Sequence, residues 1–152
     1  MQDSVTVKIA ADVDDVWALV SDVTRIGEFS PETFEAEWLD GATGPAEGVR
    51  FRGHVNRNDS GVKYWSECRV TECIENEVFG FAVVAAGKTL NNWKYQLQPV
   101  DGGTEVTESF RLQPTLANKV YWAAMGRWRG QTNRRGMLET LEAMRAVLES
   151  ED

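Results

Sequence analysis

Residues 78–112 read VFGFAVVAAGKTLNNWKYQLQPVDGGTEVTESFRL. The stretch holds three runs rich in β-branched and aromatic residues, Val78–Val84, Thr89–Gln98 and Thr104–Leu112. They are parted only by Ala86-Gly87 and Asp101-Gly102-Gly103. Connections this short join neighbouring antiparallel strands and leave no room for a crossover helix. The pattern extends upstream. Glu75-Asn76 is a tight turn behind a long run, Lys63–Cys73, and Asn58-Asp59-Ser60-Gly61 separates that run from Val49–Asn56. Asp40-Gly41 and the loop through Gly44-Pro45 close a further run, Phe34–Leu39. At the start of the chain Ser4–Ala10 alternates, with Val5, Val7 and Ile9 on one face. The expectation is an α+β fold built on a seven-stranded antiparallel meander.

Helical signals occupy two places. Asp12 and Asp15 suit the positive end of a helix, and Val13, Val16, Trp17 and Val20 follow at helical spacing, predicting a helix over 12–20. A second short helix is predicted from Ser21 or Asp22 to near Gly27, before the Ser30-Pro31 turn. After Pro114 the pattern is helical to about Glu149. Its apolar residues form two stripes: Val120, Tyr121, Ala124, Met125 and Trp128, then Met137, Leu138, Leu141, Met144 and Leu148 roughly 160° away. Either the helix kinks between Gly126 and Gly136, or it stays straight and turns Ala123, Gly126 and Gly130 toward the sheet, leaving a void beneath them.

The 152 residues are 42% hydrophobic and 26% charged, a composition that supports one domain with a buried core and excludes a disordered chain. Sixteen Lys and Arg against 24 Asp and Glu leave a net charge of −8. That balance argues against nucleic acid and anionic membranes, both of which require clustered cations. The opening MQDSVTVKIAADVDD lacks the basic-then-apolar order of a secretory signal, and no apolar run is long enough to span a bilayer, so the expected compartment is the cytoplasm. Cys68 and Cys73 sit five apart on one strand. Strict alternation places them on opposite faces, arguing against a disulfide, and the spacing is no metal-ligand spacing.

Alternation proposes an inward-facing set: Phe51, Gly53 and Val55; Phe79, Phe81 and Val83; Trp93, Tyr95 and Leu97; Val106, Glu108 and Phe110. Glu108 stands out, because a carboxylate between Val106 and Phe110 needs a cation, a donor or a raised pKa. A sheet covered by one long helix, with small residues on part of that helix, tends to enclose an apolar pocket, typically about 300–1,000 Å³.

Several segments carry a family resemblance: VTVKIAADVDDVWALVSDVTRIGEFSPE, GVRFRGHVNR, YWSECRVTE, FGFAV and NNWKYQLQPVDGGTEVTESF. Over roughly residues 4–112 the chain resembles the START-related SRPBCC superfamily, especially actinobacterial proteins described as polyketide cyclase/dehydrase. The resemblance implies a helix-grip fold of the birch-pollen-allergen type spanning residues 1–152, its sheet curved around a long C-terminal helix with a hydrophobic cavity between. Trp65, Trp93 and Glu108 occupy recurrent positions of the subgroup. The candidate ligand-binding residues are therefore Phe51, Trp65, Phe81, Trp93, Tyr95, Glu108, Phe110, Ala123, Gly126 and Gly130, with Glu108 and Tyr95 as catalytic candidates.

Other motifs are absent. The single His54 has no G-x-S-x-G nucleophile to serve, and no glycine-rich loop forms a P-loop or dinucleotide fingerprint, so neither metal nor cofactor is expected. Two functions remain open. One is carriage of a small hydrophobic molecule, such as a lipid, polyketide or aromatic metabolite. The other is a polyketide cyclase/dehydratase (aromatase) activity assisting aldol cyclisation or dehydration, for which Tyr95, Glu108, His54 and Arg52 are the available groups. The stripe Tyr121, Met125 and Trp128 needs covering, either by the short helices through Trp17 or Phe29 or by a second copy, so the chain is expected to be a monomer or a homodimer.

Overall fold

A computed structural model describes residues 2–56, 63–112 and 134–150. Seven strands appear: β1 (Gln2–Ile9), β2 (Thr33–Trp38), β3 (Arg50–Asn56), β4 (Lys63–Ile74), β5 (Val78–Ala85), β6 (Lys88–Val100) and β7 (Gly103–Leu112). Their ends fall within about two residues of the sequence reading, the usual uncertainty of element boundaries. They form one antiparallel sheet in the order β1-β7-β6-β5-β4-β3-β2. The last six strands make the meander, and β1 pairs with β7, from Gln2 opposite Arg111 to Ile9 opposite Thr104.

Strands β1 and β2 are therefore opposite edges of the sheet, and the chain between them crosses its inner face. It does so as helix α1 (Val13–Ser21) and a short 3-10 helix, Val23–Glu28. Asp12 stands at the α1 N-cap, where its carbonyl accepts from the N–H groups of Asp15 and Val16, while its side chain makes no cap. The capping role falls to Asp22, whose carboxylate accepts from Thr24 N–H and starts the 3-10 turn. Val16, Leu19 and Val20 bury against the sheet, and Trp17 meets Phe79 edge-on with ring centroids 6.4 Å apart.

Residues 134–150 are helical and complete the core with Met137, Leu141, Met144 and Leu148, at most 2% exposed. Leu138, placed by the spacing in the same stripe, is 44% exposed. It lies one residue round from Met137, too far to share a narrow buried stripe. The helix is tied to β1 by polar contacts as well. Arg145 donates twice to the Lys8 carbonyl, and Glu149 accepts from the Ala10 N–H. The sheet with two short helices after strand one and a terminal helix against its face is the helix-grip α+β arrangement. The Tyr121, Met125 and Trp128 stripe, the roof formed by Ala123, Gly126 and Gly130, and all of the Gly126–Gly136 kink region up to residue 133 lie outside the described residues.

Two turns show the local chemistry. At Ala86-Gly87 both residues are left-handed (φ 52° and 75°), which matches the twist of the strands it joins. Asn76 adopts φ 64° in the β4–β5 turn, a conformation asparagine tolerates better than most residues. In β4 the register slips between Val70 and Glu72. Val70 opposes Phe81 and Cys73 opposes Phe79, so the bulge returns Cys73 to the face of Cys68. The expectation of opposite faces is thus corrected. Both thiols face the core and both are free.

Gly103 opens β7 where a Cβ would run into the backbone carbonyl of Ile9. Gly103→Ala should cost about 1–3 kcal/mol in urea unfolding. Gly44→Ala, at a site with open space around the Cβ, should stay within about 0.5 kcal/mol.

Candidate functional site

The inner face of the sheet is read from its register. Phe81, Trp93 and Phe110 lie side by side across β5, β6 and β7, and Phe79, Tyr95 and Glu108 form the next row. On β1, Val5 stands opposite Glu108. The Glu108 side chain is thus enclosed by Val5, Val106, Phe110 and Tyr95, and the residue is 3% exposed. Tyr95 donates its phenolic proton to Glu108 Oε2 at 2.8 Å. The other oxygen, Oε1, is buried and has no partner among the described residues.

A carboxyl group in this setting resists ionisation. Burial is the dominant cause, pushing Glu108 up to about 8, and the Tyr95 hydrogen bond pulls only partly against it. The phenol of Tyr95 is pushed well above 10, first by its own burial and then by the neighbouring carboxyl. At neutral pH the pair is therefore a carboxylic acid braced by a phenol. With Tyr95 bonded to Oε2, Oε1 is the oxygen from which the acid can donate to an acceptor.

Beside this pair, a small cavity lies between the short helices and the sheet. Val20, Val23 and Phe29 wall it on one side, and Phe51, Phe81 and Tyr95 on the other. Its volume of about 10 Å³ is about one water; the pocket anticipated beneath Ala123, Gly126 and Gly130 belongs to residues outside the described ones. The inner face is packed at Phe79, Leu97 and Val106 and partly open at Phe81, Val83 and Trp93. Phe81 crosses Phe51 at 5.3 Å, and Trp93 tilts against Phe110 at 4.7 Å between ring centroids. Partly exposed aromatic residues thus stand in the row next to the acid.

The sequence profile of a family described as polyketide cyclase / dehydrase and lipid transport matches residues 3–149. The chain belongs to that family. It is similar over 99% of its length to a polyketide-cyclase-like protein of Corynebacterium glutamicum known from solution NMR, at 29% identity, 92% coverage of that chain and a TM-score of 0.61. A protein of Nitrosomonas europaea matches at 15% identity and a TM-score of 0.73, covering 99% of this chain and 96% of that one. A Mycobacterium smegmatis protein matches at 19% identity and 0.70, covering 99% and 92%. These two likenesses show the fold alone. No protein of curated function matches the chain.

In this member of the family the anticipated site residues divide. Phe51, Phe81, Trp93, Tyr95, Glu108 and Phe110 share the inner face. Ala123, Gly126 and Gly130 lie outside the described residues. Trp65 is a correction. It opposes His54 on β3, one residue out of phase with the inward positions, and is 41% exposed on the outer face. There its indole stacks on His54 at 4.2 Å and carries the Arg52 guanidinium at 4.1 Å. His54 and Arg52 are likewise removed from any inner-face chemistry, held by Glu35 and Glu37. Asn91 went unselected although the alternation that selects Trp93 and Tyr95 includes it. It opposes Val83 and Leu112, and its Oδ1 is buried without a partner. Among the described residues no three His, Cys, Asp or Glu side chains converge as metal ligands, and no helix is long and apolar enough to cross a membrane.

The raised Glu108 pKa fixes a pH dependence. An unfolded glutamate titrates near 4.5 and the folded one near about 8. Between these values the native state holds the extra proton, so stability falls as pH rises, by up to about 1.4 kcal/mol per unit. The contribution is complete below the lower value and lost above the upper one. Urea unfolding across this window should show that slope in the wild type and a flatter one in Glu108→Gln.

Proposed function

We propose that the 152-residue chain is a single ligand-binding domain that holds a small hydrophobic molecule against the inner face of the sheet. In this reading Glu108, braced by Tyr95, anchors a polar atom of the ligand. The observation that carries it is the unpartnered Oε1 of a 97%-buried carboxyl, next to a row of partly exposed aromatic residues. A buried polar group with no partner costs about 1–3 kcal/mol, and a ligand acceptor at that point would remove the cost. Membership of a family whose description joins cyclases with lipid transport supports the same class of ligand.

One observation favours a second reading, catalysis of aldol cyclisation or dehydration. A carboxyl with a pKa of about 8 is an acid at neutral pH, and an acid in apolar surroundings can polarise a ketone or protonate a leaving hydroxyl. Binding is the more economical reading, since it asks only for a hydrogen-bond donor held in an apolar face, whereas catalysis asks for a placed base as well.

Titration with acetonaphthone, an aromatic ketone, and with naphthalene tests the anchor. The ketone should bind about tenfold more tightly, and Glu108→Leu should erase the difference. Equal affinity for both, or no binding of either together with no retained mass in native mass spectrometry, would overturn the reading. For catalysis, turnover of a poly-β-keto substrate should fall about a hundredfold in Glu108→Gln. An unchanged product profile with and without the protein would exclude it.

A further inference from the structure

Among the described residues, a second polar atom on the inner face is buried and unpartnered. Asn91 Oδ1 lies on β6 at the open end of the face, next to the half-buried Val83 and Leu112. Glu108 Oε1 lies toward the packed end, opposite Tyr95. Asn91 and Tyr95 are four residues apart on one strand, so the two polar positions are separated by roughly 13 Å along it. The row between them is aromatic: Phe81, Trp93 and Phe110, adjacent on three strands. An amide oxygen can only accept a hydrogen bond, and buried acceptors are rarely left without a donor.

We propose that the inner face takes an elongated aromatic or polyunsaturated ligand with two unlike polar ends, a carbonyl acceptor at Glu108 and a hydroxyl or N–H donor at Asn91. The inference rests on the ligand-binding reading above and specifies the chemistry of its ligand. The apolar middle of the molecule lies along Trp93 and Phe110, whose rings sit 4.7 Å apart at 53° and offer both a face and an edge. The carbonyl end goes deep because the acid proton is there, and the donor end remains at the mouth because Asn91 is there. A fatty-acyl chain with a single polar head would satisfy one of the two groups and leave the other unpartnered.

Three rods test this on the full chain: para-acetyl-para′-hydroxybiphenyl, its methyl ether, and para-acetylbiphenyl. All carry the ketone, and only the first carries the donor. Calorimetric titration should show the hydroxyketone binding about tenfold more tightly than the ether. Asn91→Leu should abolish that preference while changing the affinity for acetylbiphenyl less than about twofold. Because leucine replaces an unpartnered buried amide by an apolar side chain of similar size, the variant should melt at or above the wild-type temperature. A variant that melts well below it, or fails to fold, shows that the amide is structural and overturns the proposal. If the rods bind but the phenol confers no preference, or the preference survives in Asn91→Leu, the two-point ligand is overturned and the ligand-binding reading stands. If the wild type binds none of the rods and no acetonaphthone, both are overturned.

Discussion

Strand β1 pairs with β7, not with the strand that follows it, and most of the architecture follows from this. The chain leaves one edge of the sheet and must re-enter at the other, so α1 and the 3-10 helix cross the inner face. That crossing carries Val16, Leu19, Val20, Val23 and Phe29 into the core and seats Trp17 on Phe79. Trp17 thereby has a packing partner within the sheet. The same pairing sets Val5 opposite Glu108. Without β1 there, β7 would be an edge strand and Glu108 would lose the cover of Val5. Strand order thus contributes to the burial that holds the proton on Glu108.

Much of this was legible from the residues because turn chemistry is local. Ala86-Gly87 and Asp101-Gly102-Gly103 leave too little chain for anything but antiparallel neighbours. Alternation then supplied the inner face correctly through β5, β6 and β7. It failed where the period itself breaks. Nothing in Val70-Thr71-Glu72 announces a bulge, because a bulge depends on how the partner strand is held, and so Cys73 changed sides. Trp65 shows a different limit. The family resemblance placed it among the ligand-binding candidates, yet its phase on β4 assigns it to the outer face, where His54 and Arg52 stack upon it. Phase is the stronger constraint, since one residue of slip inverts a side chain. Asn91 was in phase but polar, and polarity concealed it from a search for apolar lining.

The Glu108–Tyr95 pair explains why a reading by residue type favours neither function decisively. Tyr95 satisfies one carboxyl oxygen and orients the group, while the enclosing apolar side chains keep the proton on. A hydrogen-bond donor fixed in an apolar face is what a carrier needs to hold a ketone in register. It is also what an acid catalyst needs to stabilise charge developing on that ketone's oxygen. The distinction lies in what else reaches the substrate carbon. Catalysis of cyclisation or dehydration requires a base to accept a proton as well, and with Glu108 pushed up to about 8 and the Tyr95 phenol well above its ordinary range this pair rests mainly protonated at neutral pH. His54, the chain's single histidine, is on the wrong face and engaged with Glu35. The described inner face therefore carries a donor at Glu108, an acceptor at Asn91 that has no proton to exchange, and the Asp3 carboxylate, opposite Phe110 and paired with Arg134. Recognition of a molecule by its two ends, as we propose, asks for no group beyond these.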